Sequence, residues 1–236
     1  MDLLNPNDKY ELLANNVPRV NFATGGLLQN SPIVCGGSQN VFNFSQDCAV
    51  IGQPEMEMKM IEKRSLAASV ALDQNTLWIV GGWNGHTVNN TININDIHSS
   101  TEFIKFGQPS VIGPDLPFRI FGHSMIQYDE KSIYIIGGSQ LGTWDEDGFS
   151  NKTWIVDPTN EFQITEGPSL NRARNDHGCA KMTLNGRTIL VVAGGFGIDG
   201  LLNSVEILDP SGNNVWTQGL YLKFITVKLC LINILQ

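Results

Sequence analysis

Arginine residues that could bind carboxylates recur at similar distances before pairs of glycines. They stand 17, 18 and 20 positions before the first glycine of a pair, at Arg64, Arg119 and Arg174. A guanidinium group donates paired hydrogen bonds to a carboxylate, so such a set could pair with carboxylates of a partner. The same arginines could instead bond the backbone carbonyls of neighbouring units, and the sequence leaves both roles open.

A partner-binding face is predicted around these arginines. Trp144 lies in a long loop and is followed by three acidic residues, 145–147. A tryptophan in an exposed loop is a typical interface anchor, although it could equally fold back onto its own unit. The predicted face comprises Arg64, Arg119, Arg172, Arg174, Trp83, Trp144, His123 and His177.

The histidines and serines show no pattern typical of a metal centre or a catalytic site. His86, His98, His123 and His177 lack a ligand spacing such as H-x-x-x-H. The chain has no Gly-x-Ser-x-Gly elbow either. We therefore predict no metal, no cofactor and no catalytic residue.

One glycine motif invites a dinucleotide-binding interpretation and does not support it. Residues 195–200 spell G-x-G-x-x-G after an apolar run. A dinucleotide site also needs a helix that begins there, because the helix N-terminus receives the pyrophosphate. The β-branched residues that follow, 201–207, predict a strand instead.

The glycine pairs mark an internal repeat. Four times a short apolar run ends in two glycines, and the first glycines are 45, 56 and 57 positions apart. Around each pair the pattern predicts two strands joined by a polar turn, then a third strand such as 153–157, and a proline-containing exit. Each unit is therefore predicted to be a four-stranded antiparallel meander, the blade of a β-propeller. The structural glycines are Gly36, Gly37, Gly81, Gly82, Gly137, Gly138, Gly194 and Gly195.

The chain resembles kelch-repeat proteins of the kelch-like family. The shared pattern is four apolar residues, a glycine pair and then spaced aromatics, and it extends over residues 1–218. The first unit departs from it, with Met58 and Met60 where an aromatic is expected. The resemblance implies an all-β, kelch-type propeller of about four to five blades, each a four-stranded antiparallel sheet, in a ring expected to be incomplete.

The repeat also predicts the boundaries of the units. Residues 56–72 have a helix-forming composition, but the repeat register favours strands there. The propeller is predicted over 1–219, and an apolar tail that departs from the repeat follows over 220–236. The predicted blades are a partial one over 1–22 and four others over 23–63, 64–118, 119–171 and 172–219.

Composition bears on the partners and the compartment. A net charge of −8 without a basic cluster argues against nucleic acid, and no apolar run is long enough for a membrane span. Cys35 and Cys48 are predicted cross-strand neighbours, either disulfide-bonded or reduced. Glycosylation sequons begin at Asn43, Asn89 and Asn151. We expect a cytoplasmic protein, with secretion as the alternative if an N-terminal part is missing.

The resemblance to kelch proteins implies a function in protein binding. Loops after the second strands, 38–43, 83–90, 139–151 and 196–203, would be presented to a partner protein. In the family such modules serve as ubiquitin-ligase substrate adaptors or cytoskeletal scaffolds, and the resemblance of the arginines to those of kelch domains implies an acidic peptide segment as partner. We expect no enzyme. The alternative is a propeller enzyme of the sugar oxidase or sialic-acid epimerase type.

Overall fold

The computed structural model describes residues 21–40, 43–85, 87–88, 91–141 and 148–222. The only helix in this described part is a 3-10 turn, Ile94–Asp96. None of its helices has the length and apolarity needed to cross a bilayer. In chain order the strands are β1 (Thr24–Leu28), β2 (Ser31–Cys35), β3 (Ser38–Asn40), β4 (Asn43–Phe44), β5 (Asp47–Val50), β6 (Glu57–Lys59), β7 (Ala68–Ala71), β8 (Thr76–Val80), β9 (Thr87–Val88), β10 (Thr91–Ile92), β11 (Thr101–Lys105), β12 (Val111–Ile112), β13 (Ser124–Asp129), β14 (Ser132–Ile136), β15 (Thr153–Asp157), β16 (Gln163–Glu166), β17 (Gly178–Leu184), β18 (Arg187–Ala193), β19 (Phe196–Gly197), β20 (Gly200–Leu201), β21 (Val205–Leu208) and β22 (Thr217–Gln218).

Four antiparallel sheets of four strands form a four-blade β-propeller, as predicted from the repeat. Blade one is β1-β2-β5-β6, blade two β7-β8-β11-β12, blade three β13-β14-β15-β16 and blade four β17-β18-β21-β22. Three small hairpins, β3-β4, β9-β10 and β19-β20, lie between the second and third strands of their blades. The last hairpin occupies the G-x-G-x-x-G segment, where no helix forms.

Blades two and three bury both faces of their second strands, which explains the continuous apolar runs before their glycine pairs. In β8, Leu77 and Ile79 pack towards blade one, whereas Trp78 and Val80 pack towards blade three. Three apolar clusters thereby fill the three interfaces between consecutive blades. Met58 is buried in the first of them, where it substitutes for the missing aromatic.

The two cysteines of blade one form a disulfide. Cys35 ends β2 and pairs directly with Cys48 of β5, with 4.0 Å between their Cα atoms. Both residues are buried against the second blade. The sequence left the bonded and reduced states open, and the structure shows the bonded one.

The glycine pairs follow directly after the second strands and bring them against the next blade. All eight glycines have positive φ, from +61° to +99°, a region that side chains disfavour. A Cβ atom on Gly137 would lie only 2.5 Å from the Arg174 carbonyl oxygen. The Gly138 N–H donates to that same oxygen at 2.8 Å. The close contact is with the segment that leads into the next blade.

Substitution of Gly137 tests this double requirement for backbone freedom and space. Gly137→Ala should lower the free energy of unfolding by roughly 2 to 5 kcal/mol, because left-handed strain and overpacking add. Gly107→Ala is the matched control, since Gly107 has a similar φ of +67° and no atom lies within 4 Å of the place its Cβ would occupy. Urea denaturation of both variants measures the difference. Equal losses of stability would show that the close approach contributes nothing.

Candidate functional site

The loops after the second strands and the crossings between blades lie at one end of the propeller. We call it the loop end, and it comprises the described parts of the loops 36–46, 81–100, 137–152 and 194–204 and of the crossings 60–67, 116–123 and 170–177. Backbone hydrogen bonds join the two kinds of segment, as in Gly82 N–H to Ile120 carbonyl at 2.8 Å. Most of the predicted site residues belong to this end.

A chain of backbone hydrogen bonds fixes the crossings at equivalent heights. Leu66 N–H donates to Phe22, Gly122 N–H to Leu66 and Asp176 N–H to Gly122, at 3.0, 2.8 and 2.7 Å. All four residues have positive φ, between +50° and +64°. A positive φ is uncommon outside glycine, so its recurrence at equivalent positions is a feature of the repeat. Side chains at neighbouring positions of different crossings therefore occupy comparable places on the loop end.

Two of the predicted binding arginines are buried inside the protein, which corrects their assignment to a partner-binding face. Arg64 and Arg174 are 1% and 0% exposed. Arg64 donates to the Gly81 carbonyl at 2.7 Å and to the Glu102 carboxylate at 2.7 Å. Arg174 makes the corresponding bonds to Gly194 and Glu206, at 2.9 and 2.8 Å. Their role is to join a crossing to its own blade.

The buried carboxylates have further donors, so neither charge is left unpaired. The backbone N–H groups of Ile61 and Glu62 donate to Glu102 at 2.5 and 3.1 Å. Those of Asn171 and Arg172 donate to Glu206 at 2.7 and 3.1 Å. A buried ion pair offsets its desolvation only when such additional hydrogen bonds are present.

Blade three uses an apolar version of the same connection. The Ile120 carbonyl accepts from Gly82 as the Arg174 carbonyl accepts from Gly138, so Ile120 holds the arginine position. Trp154 pairs with Ile135 as Glu206 pairs with Val192, and so replaces the glutamate. Pro117, which has no N–H, stands where Asn171 donates to Glu206. Ile120 and Trp154 remove the two charges, and Pro117 removes a backbone N–H that would donate to the carboxylate.

The spacing predicted that Arg119 is equivalent to Arg64 and Arg174. In the structure Ile120 is the equivalent residue, and Arg119 lies one position before it. The side chain of Arg119 is exposed, and Nη1 donates to the Ile97 carbonyl at 2.8 Å. Lys63 is the corresponding exposed residue on the crossing into blade two. Arg172 lies two positions before Arg174, is 46% exposed and pairs with Asp199 at 3.0 Å. The sequence analysis missed Lys63, which could have been found only by aligning the crossings residue by residue.

Large apolar side chains are also exposed at the loop end. Ile94 lies in the loop of blade two and Leu141 in that of blade three, and Ile198 is in the hairpin of blade four. Phe22 lies on the crossing into blade one. These four side chains are between 43% and 53% exposed. The loop end thus combines positive charge with apolar surface contributed by several blades.

The remaining predicted site residues are distributed between the core and the loop end. His123 and His177 are buried, and His177 Nε2 lies 2.8 Å from the Ser124 hydroxyl across the interface between blades three and four. Trp83 is half-buried, its ring packed edge-on against Phe44 with centroids 5.1 Å apart. Trp144 lies outside the described residues. The two histidines are therefore closed to a partner, contrary to their predicted place on the binding face.

A polar network at the crossing into blade two was not anticipated. His98 Nδ1 and the Ser100 hydroxyl lie 3.1 and 2.5 Å from the same Glu62 carboxylate oxygen. Arg64 Nη2 donates to that oxygen at 2.9 Å. Serine, histidine and glutamate also occur in catalytic triads, but there the imidazole lies between the hydroxyl and the carboxylate. Here the same nitrogen, His98 Nδ1, lies 3.1 Å from the carboxylate and 3.4 Å from the hydroxyl, so the imidazole does not bridge the two, and the network joins the crossing to the loop of blade two.

The two titratable members of this network have shifted pKa values. Burial lowers the pKa of His98 below its usual 6.5, and the Arg64 charge adds to this against the pull of Glu62. Burial opposes ionisation of Glu62, yet the Ser100 hydroxyl, His98 and Arg64 together lower the pKa of its carboxyl. Near neutral pH these shifts favour the neutral imidazole of His98 and the ionised carboxylate of Glu62.

Comparison with known proteins supports the fold and goes no further. No protein-family model and no curated protein matches the chain. Among solved structures 167 chains match, including the structure of YjhT, which is 12% identical with a TM-score of 0.66. That match covers 89% of this chain and 73% of the other. At this identity the likeness shows the fold alone, and the chain belongs to the class of β-propeller proteins.

Removal of a buried arginine tests the role of the ion pairs. Arg174→Ala should lower the free energy of unfolding by about 3 to 5 kcal/mol, because Glu206 would remain buried without its partner. Arg187→Ala is the matched control, since Arg187 pairs with Asp209 at 3.3 Å while 70% exposed, and exposed pairs contribute little. Chemical denaturation measures both. A loss for Arg174→Ala no larger than the control's would contradict a structural role.

The His98 network predicts acid sensitivity. Because the pKa of His98 is lower in the folded chain than its usual 6.5, the unfolded chain binds more protons below that pH. His98 therefore contributes stability above about pH 6.5 that is lost as pH falls through the folded pKa. The urea midpoint should drop between about pH 7.5 and about pH 5.5, and less steeply in His98→Gln. Identical slopes for both proteins would refute the assignment.

Proposed function

We propose that this chain is a kelch-type, non-enzymatic scaffold whose loop end binds an acidic peptide segment of a partner protein. One observation carries the proposal. Three cationic side chains, Lys63, Arg119 and Arg172, are exposed on three successive crossings beside exposed apolar residues. The ordered crossings hold these cations at comparable heights, so a single extended segment has the reach to meet more than one of them.

Charge complementarity favours an acidic ligand even though the whole chain carries −8. Within the loop end Glu62 is engaged by Arg64, Ser100 and His98. Asp199 pairs with Arg172, but both side chains are largely exposed, and such pairs are weak. A carboxylate of a partner can therefore replace Asp199 at little cost. An acidic background also discourages non-specific association with other acidic chains.

Apolar anchors supply the affinity that exposed ion pairs lack. Ile94, Leu141 and Ile198 are exposed on loops of three different blades. Burial of such side chains at a protein interface contributes more than rim charges do. The preferred ligand is therefore a segment with two or more acidic residues next to large aliphatic or aromatic ones.

The resemblance and the disulfide favour different cellular compartments. Kelch modules act as ubiquitin-ligase substrate adaptors or cytoskeletal scaffolds, and both roles belong to the cytoplasm that the sequence analysis favoured. The disulfide between Cys35 and Cys48 supports the secreted alternative, because disulfides persist in oxidising compartments. We therefore place the binding role outside the cytosol.

Selection from a random peptide library tests the ligand class. The chain is immobilised, bound peptides are enriched, and affinities of selected peptides are measured by fluorescence anisotropy. We expect acidic peptides with apolar residues, and weaker binding as salt rises, since exposed charge pairs are screened. Selected peptides without acidic residues, or binding insensitive to ionic strength, would refute the proposed ligand.

A charge-matched pair of variants locates the binding face. The triple variant Lys63→Ala, Arg119→Ala and Arg172→Ala should weaken peptide binding by about 1 kcal/mol per engaged cation, or roughly fivefold each. The control triple variant is Lys105→Ala, Lys131→Ala and Arg187→Ala, three exposed cations in the turns or at the strand ends of the opposite end. It should bind like the original chain. Equal losses in the two variants would show that only net charge matters.

A further inference from the structure

We propose that Asn151 is an N-glycosylation site, modified in the secretory pathway before blade three folds. Asn151-Lys152-Thr153 matches the acceptor pattern Asn-x-Ser/Thr, with x other than proline. A three-residue match arises often by chance. The proposal therefore rests on three features of the structure, namely the environments of Asn151 and Thr153 and the oxidised cysteine pair of blade one.

Asn151 is suitably placed to carry a sugar. The residue is exposed at the loop end, directly before β15. Its Nδ2 donates one hydrogen bond, to the Leu170 carbonyl at 3.2 Å. The amide has two N–H bonds, and glycosylation replaces one of them, so the hydrogen bond can persist. The sugar would project from the loop end beside the crossing into blade four.

Thr153 provides the second argument, because folding does not explain its hydroxyl. The residue is 0% exposed, and its Oγ1 has no hydrogen-bond partner in the described structure. An unpaired buried hydroxyl is unfavourable. The corresponding residue of blade four is Val205, the first residue of β21, and that of blade two is Thr101, whose Oγ1 donates to Pro114 at 2.9 Å. Valine would suit position 153, whereas the sequon requires a hydroxyl.

The burial of Thr153 also fixes the order of events. The glycosylating enzyme must reach the hydroxyl, and in the folded blade it cannot. Modification therefore precedes pairing of β15. In the reaction Asn151 Nδ2 attacks C1 of an oligosaccharide held on a lipid pyrophosphate. The N–C1 bond forms, the C1–O bond to phosphate breaks, the amide loses one proton, and the lipid pyrophosphate leaves.

The disulfide provides the third and independent argument. Cys35 and Cys48 form a bond that needs the loss of two protons and two electrons to an oxidised dithiol oxidoreductase. Such oxidants act in the same compartments in which lipid-linked oligosaccharides are transferred. A second exposed sequon begins at Asn43, also at the loop end, where Nδ2 donates to Gln39 at 2.9 Å. The third, at Asn89, lies outside the described residues.

Peptide mapping of the protein purified from the cells that make it tests the proposal. Treatment with a peptide-N-glycosidase releases the glycan and converts the modified asparagine to aspartate. We expect aspartate at position 151 only after this treatment, and Cys35 and Cys48 resistant to alkylation without reductant. Unmodified Asn151 in the native protein would overturn the proposal, whatever is found at Asn43.

A conservative variant separates the sequon from the fold. Thr153→Val, expressed with a signal peptide in a eukaryotic secretory host, should lose the Asn151 glycan completely while its unfolding midpoint is equal or higher. Thr101→Val is the matched control, because it removes a hydroxyl at the same position of blade two outside any sequon. It should keep the glycan. Retention of the glycan in Thr153→Val, or its loss in Thr101→Val, would refute the assignment.

Discussion

The close approach of the first three glycine pairs to the crossings that follow them is the constraint on which the rest of this structure depends. A carbonyl of the crossing lies where a side chain would begin on the first glycine, and the N–H of the second glycine bonds that carbonyl. Positive φ at both glycines turns the chain towards this contact. Because successive blades repeat it, the loops and the crossings meet at one end, and the positions of their side chains follow from the repeat.

Two kinds of side-chain contact join the crossings to the third strands of their blades. Blades two and four join the crossing to the third strand with a buried arginine and glutamate, whereas blade three uses Ile120 and Trp154. The charged version needs backbone donors around the carboxylate, and the apolar version has Pro117 in place of one of them. The exchange is consistent with the small net contribution of buried ion pairs relative to good apolar packing. It also explains why the position of an arginine in the repeat does not identify the proposed binding surface.

The proposed recognition and the proposed modification both lie at the loop end. The exposed cations and apolar side chains of this end suit an acidic, partly apolar segment, while the exposed Asn151 lies at the margin of the same end. A glycan there would restrict which approaches to the cations remain open. The buried disulfide of blade one holds β2 to β5 directly below the first glycine pair. The proposed binding and the proposed glycosylation are thus compatible with the disulfide that the structure contains.

The sequence alone determined the fold, because the glycine pairs and the apolar runs before them are local requirements repeated at a regular period. It predicted four glycine-marked blades in a ring of about four to five, strands rather than a helix over 56–72, and Cys35 and Cys48 as cross-strand neighbours. It did not reveal which cations face solvent. Arg64 and Arg174 are buried because Glu102 and Glu206 lie opposite them, roughly 30 to 40 residues further along the chain. Arg119 shares their spacing but lacks a glutamate, so its side chain stays in water beside the buried Ile120. Whether a charged side chain is buried or exposed depends on the partner that the tertiary structure places beside it. The spacing of residues within one segment does not identify that partner.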